Sequence, residues 1–124
     1  MKTNHLLGDL TFRESAPIAQ PLLVDQHSRI IRWMFKPGQK LEEHKVPDSP
    51  FYVIVVQGRG MFAGQDGIEE EVGSGSLLLF EQNEAHTVRA LDEELVFVSF
   101  LKSVEGMRPD RVGGEIGHNQ AAAQ

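Results

Sequence analysis

Between Pro21 and Leu101 the chain is a succession of short apolar runs, each closed by glycine, proline, asparagine or aspartate, and none of them keeps a helical period of useful length. The runs fall at residues 22–24, 30–35, 41–46, 51–56, 60–63, 68–72, 77–80, 87–91 and 95–101. Pro37-Gly38, Gln57-Gly58, Gln65-Asp66-Gly67 and Gly73-Ser74-Gly75 are turn signals between them. Strands at this spacing indicate a sandwich or barrel rather than a helical or α/β domain. At 124 residues the chain suits one domain with a core that needs neither disulfide nor structural metal. Residues 1–20 read as an N-terminal arm with one edge strand near residues 10–12, and Pro17 and Pro21 bracket the entry to the domain. Residues 21–101 read as the barrel and residues 102–124 as a polar C-terminal extension.

Composition removes several function classes. The chain has no cysteine, so disulfides, thiolate metal sites and cysteine nucleophiles are out, and a reducing cytoplasm is the expected location. Twelve basic residues stand against 18 acidic ones, a formal charge of −6 with no basic stripe. A nucleic-acid partner or an anionic membrane surface is therefore not expected. No secretory signal or membrane span is visible near the N-terminus. A Ser-His-Asp order and a phosphate loop are absent, and Gly58-Arg59-Gly60 lacks the helix a dinucleotide fingerprint requires.

Two blocks remain. The first is Gly38, five residues, His44, then Pro47 and the run from Phe51 to Gln57 and Gly58. The second is Gly75, the run 77–80, then Glu81, Asn83 and His86. Their order and spacing resemble the cupin superfamily, in its small single-domain form, over roughly residues 30–101. The resemblance implies an all-β fold, a double-stranded β-helix (jelly-roll) cupin barrel, and a homodimer. It also implies a metal held by three histidines and one glutamate. Gly38, His44, Gly58, Gly75 and His86 match the pattern. Val46 stands where the second histidine is expected and Phe51 where the glutamate is expected. Glu81, Asn83 and Ala90 replace the proline, glycine and asparagine of the second block.

His44 and His86 are the candidate site, directed by the resemblance into one barrel. Imidazole binds metals and titrates near neutral pH, so the pair reads as metal ligands or an acid–base pair; a buried hydrogen-bonded pair is the plain alternative. Strand alternation offers Glu42 as a third ligand, on the face of His44, although a solvated Glu42-Glu43 loop pair is the favoured reading of these two residues. Two imidazoles and a carboxylate suit one divalent metal, Fe, Zn, Mn or Ni; with Val46 and Phe51 at two ligand positions, a metal-free site is the other expectation. The same alternation makes Phe51, Val53 and Gln57 inward residues, with Val46 and Val88, lining an apolar pocket for a small, largely apolar ligand. A simply packed core is the competing expectation. Tyr52, Ile54 and Val56 face outward, toward another sheet or subunit. His5, His27 and His118 read as bystanders, with His118 able to reach a partner's barrel mouth.

Three functions follow: a metal-dependent enzyme of dioxygenase, isomerase or decarboxylase type; a metal-free ligand-binding or sensing barrel; and a metal-free acid–base enzyme using one histidine, for which no aspartate is well placed.

Overall fold

A computed structural model describes residues 1–103 and 115–116. Every regular element among them is a strand: β1 (Ile18–Val24), β2 (Ser28–Phe35), β3 (Lys40–Lys45), β4 (Phe51–Gln57), β5 (Arg59–Ala63), β6 (Glu69–Gly73), β7 (Leu77–Phe80), β8 (His86–Ala90), β9 (Leu95–Lys102) and β10 (Glu115–Ile116). They form two antiparallel five-stranded sheets, ordered β1-β2-β9-β4-β7 and β10-β3-β8-β5-β6. This is the expected jelly roll. The strand expected near residues 10–12 does not form. Most of the proposed C-terminal extension, His118 included, lies outside the described residues.

Alternation along β4 sets the core. Phe51, Val53 and Val55 are buried between the sheets, while Tyr52 and Ile54 are exposed on the outer face. Trp33, Phe35 and Phe97 meet them from β2 and β9, with Trp33 and Phe97 stacked at 5.9 Å. The Trp33 indole N–H donates to the buried Ser99 hydroxyl at 2.9 Å, so this core polar pair is satisfied.

Turns hold the strands in register. Gly58 has φ +80°, and a Cβ there would lie 2.0 Å from the Glu94 carbonyl oxygen, so only glycine fits. Pro21 sits inside β1 rather than before it. It is tolerated because β1 is an edge strand whose pairing shifts between Pro21 and Leu23. Residues 5–9 are tied to the outer face of β2 by Arg32. Its buried guanidinium donates to the carbonyls of Leu6 and Gly8 at 3.0 and 2.8 Å and to the Gln20 side chain at 2.6 Å.

Candidate functional site

His44 on β3 and His86 at the start of β8 are cross-strand partners, both 4% exposed. Their Nε2 atoms lie 2.9 Å apart. Each Nδ1 meets a backbone carbonyl two residues back, His44 that of Glu42 at 3.2 Å and His86 that of Glu84 at 3.0 Å. The His86 ring packs against both Phe51 and Phe80, with centroids at 4.7 and 4.6 Å and planes inclined by 21° and 25°. His44 turns its edge to Phe51.

The proton count of this arrangement is informative. A carbonyl can only accept, so both Nδ1 atoms call for a proton, and the Nε2–Nε2 contact calls for a third. Two neutral imidazoles carry two. Burial, first, and the neighbouring His86 charge, second, push the His44 pKa down to about 3, against a smaller upward effect of the Glu42 carbonyl. Burial likewise lowers that of His86, partly offset by the carbonyl and carboxylate of Glu84. The pair is therefore neutral near pH 7, and one contact lacks a proton. The longer one, at His44 Nδ1, is the one to give up. His44 then donates from Nε2 to His86, which donates from Nδ1 to Glu84. His44 Nδ1 is then the one ring nitrogen left without a hydrogen bond, and it faces the Glu42 carbonyl.

Glu42 does not join the pair. Between Leu41 and His44 the β3–β8 register shifts: Leu41 faces Val88 and His44 faces His86, three residues against two. This bulge sends both Leu41 and His44 inward and leaves the Glu42 side chain exposed. The two-residue parity that put Glu42 beside His44 is broken at that point. A similar shift between Val55 and Gln57 takes Gln57 off the inward face, where it is half-buried. Val46 is buried but does not line the space around the histidines; Phe51, Val53 and Val88 do. Trp33, Leu41, Phe62, Phe80 and Phe97 complete that lining. Phe80 was legible in the sequence as the end of an apolar strand, but its stacking on His86 was not.

The space enclosed there is about 10 Å³, the room of one water at most. No group of three or more His, Asp or Glu side chains able to hold a metal exists among the described residues. A catalytic zinc takes three protein ligands, whereas only two imidazoles meet here among the described residues. The donor set present does not fit a resident metal.

A second concavity lies just outside. A groove of about 780 Å³ runs between the open edges of the two sheets, β6 and β7. Phe62 and Phe80 line both the groove and the histidine chamber, and so form the wall between them. Glu84 pins one end. Its carboxylate accepts the backbone N–H of Glu81 at 2.9 Å and of Gln65 at 3.3 Å, joining the turns before β6 and β8.

Residues 31–101 match the cupin domain family. The chain belongs to the cupin family. None of the curated proteins matches this cupin. Among solved structures it is similar to a conserved protein with a double-stranded β-helix domain from Klebsiella pneumoniae, with a TM-score of 0.78 and 18% identity over 86% of this chain and 94% of that one. It is also similar to an RmlC-like cupin from Desulfovibrio desulfuricans, with a TM-score of 0.73 and 25% identity over 81% and 95% of the two chains. KdgF from Halomonas follows at a TM-score of 0.67 and 14% identity, over 75% and 84%. These likenesses establish the double-stranded β-helix. No helix among the described residues is long and apolar enough to cross a membrane.

Proposed function

We propose that this cupin is a small-molecule-binding barrel that works without a resident metal, its ligand seated in the groove between β6 and β7. One observation carries the reading: the two histidines spend their Nε2 atoms on each other, and no third donor stands within the chamber among the described residues. Val46 and Phe51 fill the positions where the family's other ligands are expected, and Phe51 stacks on the ring that would hold the metal. The groove supplies the volume the chamber lacks and falls in the usual range for ligand sites.

A metal-dependent enzyme of dioxygenase or isomerase type is the second reading. The backbone carbonyls at both Nδ1 atoms favour it, since a metal-ligating histidine is usually oriented in this way. Plasma mass spectrometry of untagged protein, after reloading with Fe²⁺, Zn²⁺, Mn²⁺ and Ni²⁺, separates the two. The binding-barrel reading expects only trace metal. Near-stoichiometric metal in the wild type, lost in His44→Leu/His86→Leu, would overturn it.

The outer face of β4 and β7 supports a homodimer as the working form. Tyr52, Ile54, Leu77 and Leu79 are exposed there as one apolar, uncharged surface, which is self-complementary about a two-fold axis. A cysteine-free chain suits the cytoplasm.

A further inference from the structure

The groove between β6 and β7 has an uneven charge. None of its lining residues is lysine, arginine or histidine, whereas four are carboxylates. Three of these are committed. Glu71 pairs with Arg59 at 3.1 Å. Glu84 holds the two turn N–H groups, and Asp66 accepts the N–H of Ile68 at 2.9 Å. Glu70 alone, among the described residues lining the groove, has a carboxylate with no N–H or cationic partner.

Its position is unusual for a sandwich. Glu69 and Glu71 turn to the outer face, where Arg89 and Arg59 meet them. Glu70 turns the other way. It is the register partner of Phe62, whose ring is buried in the core against Phe97. An inward position on an edge strand ordinarily carries an apolar side chain. Here it sets a carboxylate over a floor of Phe62, Val72, Leu78 and Phe80.

We infer that the groove takes an organic cation with an apolar body, its ammonium on the Glu70 carboxylate and its body against Phe62, Leu78 and Phe80. This rests on the small-molecule reading above and names the class of ligand. The aromatic rings favour a cation near their faces. The net charge of −6 draws cations toward the protein and keeps carboxylates and phosphates away. Because Glu70 is exposed, its charge adds selectivity more than affinity.

Titration of methyl-labelled full-length protein, followed by NMR at the Val72 and Leu78 methyls, tests it with three matched probes: phenethylamine, 2-phenylethanol and 3-phenylpropionate. The amine is expected to bind about fivefold more tightly than the alcohol, as an exposed ion pair allows, and the acid more weakly than both. Glu70→Gln is expected to bring amine and alcohol level while leaving alcohol binding unchanged. Equal binding of amine and alcohol by the wild type would overturn the cation inference and keep the groove. Amine preference that survives Glu70→Gln would overturn the assignment to Glu70. Failure of all three probes to shift either methyl would overturn both the inference and the groove as a small-molecule site.

Discussion

If the two histidines are a hydrogen-bonded unit of the core, removing one should cost more than half of removing both. His86→Leu leaves the Nε2 of His44 without a partner in a buried place and the carbonyl of half-buried Glu84 without its imidazole contact. Each such loss costs about 1–3 kcal/mol. The stacked contacts with Phe51 and Phe80 add about 0.5–1.5 kcal/mol apiece, part of which the leucine regains by packing. His86→Leu should therefore cost roughly 3–5 kcal/mol, a large part of an ordinary domain's stability. His44→Leu leaves the Nε2 of His86 unpaired but breaks only an edge contact with Phe51, and should cost roughly 2–3 kcal/mol. In His44→Leu/His86→Leu no imidazole is left stranded, so the sum is overcounted by about 2 kcal/mol. Urea denaturation at pH 7.5 gives the four stabilities, read from midpoints at unchanged m. A cycle additive within about 0.5 kcal/mol would refute the reading, because independent side chains add and a shared buried bond does not.

The same pair should make the fold acid-sensitive. Histidine in the unfolded chain takes its proton near pH 6.5, whereas His44 in the fold resists until about 3 and His86 is also lowered. The unfolded state thus binds more protons through this window, and stability falls as pH drops below 6.5. For His44 alone the loss by pH 5 is about 2 kcal/mol. Parallel stability profiles of the wild type and His44→Leu/His86→Leu between pH 7 and 5 would count against it. Asn83 has φ +65° and its N–H donates to the Val46 carbonyl at 2.8 Å, in the turn before His86. Asn83→Gly should leave the thermal midpoint nearly unchanged, and Asn83→Ala should cost about 1 kcal/mol; equal midpoints for the two would show that the left-handed conformation does not matter there.

Much of the architecture could be read from turns. Gly58 and Gly75 each adopt positive φ at the strand ends the sequence marks, and Asn83 does so at the position where the family expects glycine. Asparagine is the side chain that best tolerates that conformation, so the turn survives although the motif is altered. The alternation of β4 was equally plain, since Phe51, Val53 and Val55 against Tyr52 and Ile54 need only an unbroken strand. The edge strand expected near residues 10–12 failed for a different reason. The chain just beyond it is held by long-range contacts, with the Gln39 side chain donating to the Arg13 carbonyl at 2.7 Å, and no local pattern reports them.

The site was less legible because it depends on register, and register is a property of two strands. Alternation counts residues along one strand and assumes that its partner keeps step. At the β3–β8 pair it does not: one extra residue between Leu41 and His44 moves Glu42 to the outside and leaves His44 facing His86. The same extra residue decides the chemistry. Without the bulge, and with every residue kept, a carboxylate would share the inward face with the imidazoles, the set that non-haem iron uses. With it, the inward face holds Leu41 and His44, and among the described residues lining the chamber the second histidine is the only polar side chain that the first can reach. A one-residue deletion at Glu43 should therefore straighten β3 without changing the inward set: Leu41 and His44, then two apart, both stay inward and Glu42 between them stays outside. The variant should keep the paired histidines and take up no more metal than the wild type. Metal uptake by that variant alone would show that the bulge, rather than the number of donors, limits metal binding.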